Sequence, residues 1–406
     1  ISACLVGSEM CIRDRNTAVG YTAAQTMTQG DDNISIGYAA LSTAATTDGI
    51  DKNVVIGNYA MNNVGSNAAE QNTAVGYVAL NMNTTGDHNT ALGANAGKEN
   101  LTGSNNTYLG SQSGFGASGQ SNSGNTAVGQ NTLLSVTTGS DNTVMGAVAG
   151  DAITTGHDNV FMGRHAGGAT QDVGHAVLIG QAAGDAVITA DADGTVAVGA
   201  SSLSALTSGS RCTAVGYQAL QLISSNGSNT GIGYGALKVS TGTANTGLGE
   251  SAGDTITTGT QNTCVGSQTS TSAVGAANQT AVGYGVAGQA DNSVTLGNAS
   301  VTAVYMAQDS GASVYAGAIG LGVTSIDHKL QIRGTGISHI ELSESGSTAY
   351  GVAFSRSAAP TARIGMTEPG ATGTGALIFL TSPDDGYTLA EHFRINSNGD
   401  LTATDT

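Results

Sequence analysis

The sequence predicts an all-β protein: a parallel β-solenoid, or β-roll, of about 17 coils with a period of about 17 residues, followed by a small antiparallel β domain. Three observations carry this. First, a motif of the form Asn-Thr-small-aliphatic-Gly returns from Asn16-Thr17-Ala18-Val19-Gly20 through Asn72-Thr73-Ala74-Val75-Gly76, Asn142-Thr143-Val144-Met145-Gly146 and Asn229-Thr230-Gly231-Ile232-Gly233 to a last closing glycine at Gly297. Second, the closing glycines are most often 17 residues apart, a repeat too short to be a domain and of the right length for one coil. Third, the three prolines (Pro360, Pro369, Pro383) all fall near the C-terminus, so residues 16–300 can form an uninterrupted ladder.

Each part of the coil has a local reason. The residue before every closing glycine is aliphatic, and the residue two before that is β-branched. Such alternation marks a strand with one buried face, which predicts that Val19, Val75, Met145 and Ile232 point inward with the Thr rank. The variable residue between them, Ala18, Tyr108 or Phe161, is expected to face solvent or a neighbouring chain. The opening Asn either stacks on the Asn of the coils above and below or makes a local Asx turn. The closing Gly marks a positive φ or a close backbone approach. Thr84-Thr85-Gly86-Asp87 and Thr154-Thr155-Gly156-His157 read as turns, and Tyr77-Val78-Ala79-Leu80 as a turn or short strand that closes the coil. The repeat residues that define the coil are therefore Asn16, Val19, Gly20, Asn72, Val75, Gly76, Asn142, Met145, Gly146, Asn229, Ile232 and Gly233.

Between 319 and 406, short apolar runs (His339–Leu342, Val352–Phe354, Arg363–Met366, Leu377–Leu380) separated by Gly, Pro and Ser predict the small antiparallel domain. Residues 301–318 read as a transition or linker. Leu5 to Arg15 resembles the translation of a sequencing adapter, so residues 1–15 are set apart from the fold.

Composition narrows the function classes. The net charge is −17, with 29 acidic and 12 basic residues, and no basic patch is available to neutralise phosphates; nucleic acid is not an expected partner. No apolar run is long enough to cross a membrane as a helix, so no membrane insertion is expected in this segment. Of the four cysteines, Cys4 and Cys11 lie in the adapter-like segment. Cys212 and Cys264 sit three coils, about 14 Å, apart, beyond disulfide reach. Gly is 61 of 406 residues, Trp is absent and aromatics are 4%, which suits a narrow interior. One coil buries roughly a Val, a Thr methyl, an Ala and sometimes a Leu, which hardly offsets ordering 17 residues at about 25 cal/mol per Å². Side-by-side association of three chains is therefore expected.

No chemistry recurs with the repeat. The histidines (His88, His157, His165, His175, His328, His339, His392) have no recurring metal spacing. His88 and His157, beside Asp87 and Asp158, read as solvated turn residues in preference to a metal pair, and the acidic turns (Asp31-Asp32, Asp141, Asp158), whose carboxylate and carbonyl oxygens are the ligand type Ca²⁺ takes, lack a calcium nonapeptide. The Gly-x-Gly strings are not phosphate loops, since none opens a helix. No catalytic, cofactor-binding or metal residues are expected, and no enzyme activity.

The motif of residues 16–300 is similar to the head repeats of YadA-like trimeric autotransporter adhesins, from which it departs in having coils two or three residues longer than their 14. The resemblance implies a left-handed parallel β-roll and a homotrimer. The same repeats occur in phage tail fibres, and two C-terminal segments resemble those proteins: Ile319–Ser325 followed by Lys329–Ile332, and Glu391–Gly399. The resemblance implies a virion tail fibre that spaces or presents a surface for a host cell-surface receptor or glycan. The alternative is a bacterial cell-surface adhesin head. Two further readings rank below these: a tailspike glycanase, and an ice-binding solenoid, disfavoured because Thr is expected to share the buried face with Val. The longer coils ending at Gly57, Gly76, Gly129 and Gly199 are weak candidates for ligand contact.

Overall fold

A strand of only three residues can persist when every coil repeats it in register, because each adds its hydrogen bonds and side-chain rows to the last. That is the arrangement in the computed structural model. It describes residues 15–27, 30–42, 50–65, 69–119, 121–186, 188–189, 192–305, 319–321, 330–332, 349–356, 359–367, 376–381, 390–395 and 399–403. Seventeen strands, from β1 (Thr17–Val19) to β17 (Ser293–Leu296), form one sheet in which each strand pairs with the next in parallel. Between β8 (Thr143–Met145) and β9 (Val160–Met162) the partners are Thr143 with Val160, Val144 with Phe161 and Met145 with Met162, and the same register runs along the sheet. The chain divides into two compact units, 1–304 and 305–406.

The turns form ladders as well as the strands. From one coil to the next, Gly163 donates to the Met145 carbonyl at 2.8 Å, His165 to Ala147 at 3.2 Å, Gly150 to Ala166 at 3.0 Å and Asp158 to Ser140 at 3.1 Å. Forming these bonds on both sides of each corner bends the backbone into the left-handed region at residues that ordinarily avoid it. Val148 has φ +58°, Leu133 +50° and Asp158 +56°. Each such residue costs about 1–2 kcal/mol, which the inter-coil hydrogen bonds offset.

The closing glycine is the tightest point. Gly146 has φ +134°, and a Cβ there would lie 2.5 Å from the Gly163 carbonyl oxygen of the next coil. Gly20, Gly76 and Gly233 repeat this geometry.

The register differs from the sequence expectation by one residue. The middle residue of each strand points into the coil: Ala74, Tyr108, Val144, Phe161 and Leu178 are fully buried. The flanking residues point outward: Val19 is 55% exposed, Met145 42% and Ile232 38%, and Val75 is half-buried. The Thr rank lies on the same outward face, with Thr143 exposed. The physical reason is space. The interior holds one side chain per strand against the opposite turn, and a shift of one residue reverses every side chain.

That interior is filled by a volume exchange between the strand and the turn six residues later. Where the strand supplies a large residue the turn supplies glycine: Phe161 with Gly167, Leu178 with Gly184, Tyr108 with Gly114. A Cβ at Gly167 would lie 2.6 Å from Phe161 Cδ2. In several coils where the strand is small the turn supplies leucine: Ala127 with Leu133, Ala197 with Leu203, Ala214 with Leu220. Ala91 with Gly97 and Gly247 with Gly253 depart from this, and there large residues of adjoining coils, Leu80 and Tyr108 at Gly97 and Leu237 at Gly253, occupy the space. Leu133 and Leu203 hold the same left-handed backbone as Gly167 (φ +50°, +49° and +61°), so either residue fits the corner. Tyr108 is the largest inward side chain, and its hydroxyl donates to Asn122 Oδ1 in the turn, which satisfies the one polar atom it carries inward.

The second unit contains a parallel pair, β18 (Ile319–Leu321) with β19 (Leu330–Ile332), and a five-stranded antiparallel meander, β20 (Ala349–Arg356), β21 (Ala359–Thr367), β22 (Ala376–Thr381), β23 (Ala390–Ile395) and β24 (Leu401–Ala403). Three of the predicted runs lie in β20, β21 and β22; the fourth, His339–Leu342, falls outside the described residues, as do 1–14. The parallel pair departs from the all-antiparallel expectation. Phe379 and Phe393 pack with ring centroids 5.5 Å apart and planes tilted by 57° across β22 and β23.

The volume exchange predicts a double-mutant cycle. Phe161→Ala should cost about 3–5 kcal/mol by cavity formation and Gly167→Leu about 1–3 by overpacking. Together they should recover about 2 kcal/mol or more of that sum, because Ala with Leu is the pairing two coils away on either side, at Ala127 with Leu133 and Ala197 with Leu203. Met162→Ala, on the outward face, should change the stability of the isolated chain by less than about 1 kcal/mol. Urea denaturation of the four variants measures all of these terms; additive single-site costs would contradict the exchange.

Candidate functional site

The opening asparagines are internal. Asn142 donates from Nδ2 to Asn125 Oδ1 at 3.0 Å and to the Gly156 carbonyl, across its own coil, at 2.9 Å. Its Oδ1 accepts the Asn159 backbone N–H at 3.2 Å and the Asn159 side-chain N–H at 2.9 Å. All four hydrogen-bonding positions of the amide are filled without water, as burial requires. Asn72 repeats this between Asn53 and Asn89, and Asn16 begins the row by accepting from Asn33 at 2.8 Å. Of the two readings open in the sequence, the inter-coil ladder is the one formed. It runs from Asn16 to Asn159, is interrupted at Ala176, Thr195 and Cys212, and resumes from Asn229, which accepts from Asn245 at 2.9 Å.

Cys212 and Cys264 are free, buried thiols. Cys212 takes the Asn position, and Cys264 is an inward strand residue. Burial pushes both thiols above their ordinary range, Cys264 to about 11.

With the ladder and the thiols accounted for inside, the outward strand face is the most extensive repeating apolar surface among the described residues. Its Thr and aliphatic ranks carry no charged residue from β1 to β17. The exposed aliphatic rank includes Val19, Ile36, Ile56, Leu92, Leu109, Met145, Met162, Val215, Ile232, Leu248 and Leu296. Beside it, Tyr21, Tyr38, Tyr59 and Tyr77 form a column with ring centroids 5.7, 5.2 and 6.4 Å apart, and Tyr217 stacks on Tyr234 at 5.4 Å. At one strand per roughly 4.8 Å, this apolar stripe is about 80 Å long, far more than scattered surface hydrophobics would give. Sequence reasoning assigned these aliphatics to the interior and so missed the surface; the Tyr that often follows the closing Gly was the available signal. The extra residues of the long coils include 43–49, 66–68, 120, 187 and 190–191, which lie outside the described residues.

Among the described residues, one group of three His, Cys, Asp or Glu side chains converges closely enough for a metal ion: His157, Asp158 and His175. His157 falls where expected, in an exposed turn beside Asp158, but its histidine neighbour is His175 of the next coil and not His88. Among the described residues no helix is long and apolar enough to cross a membrane. No family model, curated protein or solved structure matches the chain.

Two predictions follow from the buried polar groups. Asn142→Ala strands the buried donors of Asn159 and should cost about 2–4 kcal/mol in urea denaturation, whereas Asn63→Ala, at an exposed turn, should stay within about 0.5 kcal/mol. A thiol reagent should modify neither Cys212 nor Cys264 until the chain unfolds. A raised thiol pKa in the folded state means that the thiols' contribution is complete below their ordinary value of 9.0. Stability should fall as pH rises from there through about 11, and a Cys264→Ala variant should show less of that fall.

Proposed function

We propose that this chain is a segment of a homotrimeric structural and adhesive fibre, and most specifically of a phage tail fibre that spaces or presents a surface for a host-cell receptor or glycan. One observation carries the reading: an uncharged apolar stripe runs along the outward strand face for the length of the solenoid. A stripe of that length on an isolated chain is an aggregation liability, and covering it with further copies of the same chain removes the liability and adds burial that single coils lack. Association about an axis parallel to the solenoid places the same coil of each copy at the same height, as closed symmetry requires. The two C-terminal segments that resemble tail fibres, Ile319–Ile332 and Glu391–Gly399, favour a virion over a bacterial cell surface, and the acidic composition suits an exposed fibre.

The outward position of the Thr rank supports a second reading. Threonine methyls and hydroxyls beside an aliphatic rank on a repeating face are the makings of a lattice-binding surface, and the Thr rank that was expected inside with Val lies on the outward face, half-buried in most coils and exposed at Thr17 and Thr143. The two readings use the same face in opposite ways: a fibre covers it, an ice binder exposes it.

The test is sedimentation of the full chain. A trimer is expected, and Leu92→Lys, Met145→Lys and Ile232→Lys combined should yield a folded monomer, since each site is exposed in the single chain. A wild-type monomer at high concentration overturns the fibre reading, and inhibition of ice recrystallisation by that monomer would install the second.

A further inference from the structure

We propose that His157, Asp158 and His175 form a binding site for a borderline divalent metal ion such as Zn²⁺, which joins two successive coils on the edge of the solenoid. His157 Nδ1 lies 2.9 Å from Asp158 Oδ2, and His175 Nε2 lies 3.9 Å from the same oxygen; all three ligand atoms fall within 4.8 Å of one another. Ligands at about 2.0–2.1 Å from a tetrahedral Zn²⁺ are about 3.4 Å apart, midway between the two observed separations. The two ring nitrogens lie within 4.8 Å of each other, so rotation of the two exposed imidazoles brings three donors onto one ion, with water completing the shell. Two imidazoles and one carboxylate suit Zn²⁺ and its neighbours, whereas Ca²⁺ takes oxygen ligands.

The backbone places the donor residues side by side before any ion arrives. Asp158 and His175 occupy the same left-handed corner in consecutive coils, with φ +56° and +55°. His175 donates its backbone N–H to the His157 carbonyl at 3.2 Å, and His157 pairs with Gly174 in a parallel bridge. The His157 ring lies over Gly174, where a Cβ would stand 3.0 Å from its Cε1, so glycine at 174 leaves the ring its place. The two rings meet edge to face, 5.3 Å between centroids. The position in the fold also matters. Asn159 is the last rung of the first asparagine ladder: its Oδ1 still accepts the Ala176 N–H at 2.9 Å, but Ala176 has no amide to continue the row. The two coils that the ion would tie together are the first two between which the side-chain-to-side-chain link is lost; the row also lapses at Thr195 and Cys212. The sequence concealed the group because 157 and 175 are 18 residues apart, a spacing that means nothing until the coil period makes them neighbours.

The experiment is calorimetric titration of the full chain, free of any polyhistidine tag, with zinc chloride. One Zn²⁺ per chain and a rise in thermal midpoint on loading are expected. His157→Ala and His175→Asn should each weaken binding by about ten-fold or more, while His88→Ala, an exposed turn histidine elsewhere, should leave it unchanged. Asparagine at 175 tolerates the left-handed corner, so loss of binding there is not a loss of folding, and an unchanged metal-free melting temperature verifies this. Substitution by Co²⁺ should give visible absorption bands that disappear in the same variants. No saturable Zn²⁺ binding by the wild type, or binding that survives His175→Asn, overturns the site; either result is independent of whether the chain forms trimers.

Discussion

The solenoid depends on how closely one coil lies upon the next at the column of closing glycines. From Gly20 to Gly266, a Cβ in that column would sit 2.2–2.7 Å from the carbonyl oxygen of the adjoining coil, far inside van der Waals contact, so the column admits no other residue there. Close approach there sets the in-register pairing of every strand, and register in turn places every side chain of the coil. The asparagine ladder is subordinate to it. The ladder can lapse at Ala176, Thr195 and Cys212 while the sheet continues through β10 (Val177–Ile179), β11 (Val196–Val198) and β12 (Thr213–Val215) without a break.

Given that register, the interior is a narrow slot, and its packing rule is one of volume rather than hydrophobicity. Phe161 and Gly167 fill it in one coil, Ala127 and Leu133 in another. The amide rungs fill the remainder, each buried polar group matched by a partner in the next coil. Hydrophobic side chains in excess of what the slot holds are turned out, which is why the aliphatic rank becomes a surface. The fold and the proposed assembly thus share a cause: a coil too thin to bury its own aliphatics leaves them for a second copy to cover.

The outward stripe and the His157–Asp158–His175 group would act on different scales in such a fibre. The stripe runs through many coils and governs association of chains; the histidine group joins two coils of one chain at the point where the internal ladder stops. Both arise from stacking, which turns residues separated by one period into neighbours and multiplies any favourable side chain into a row.

The repeat length, the parallel strands at Thr17–Val19 and each recurrence of that motif, the glycine column and the strands near Val352, Ile364 and Leu377 were legible in the sequence, because period, alternation and proline placement are local properties of the chain. Which face of each three-residue strand is inside was not. Thr-x-aliphatic alternation fits either direction, and the apolar flanks of Met145 made the wrong one attractive; the choice is made by the width of the coil, which only the opposing turn at Gly150 or Leu133 sets. Likewise the sequence named Asn142 as a rung or a turn residue and the structure formed the rung, since four hydrogen bonds to the coils above, below and across are available only once those coils are stacked. The sequence therefore determined that this chain would coil and with what period. Stacking determined what each coil keeps inside and what it shows.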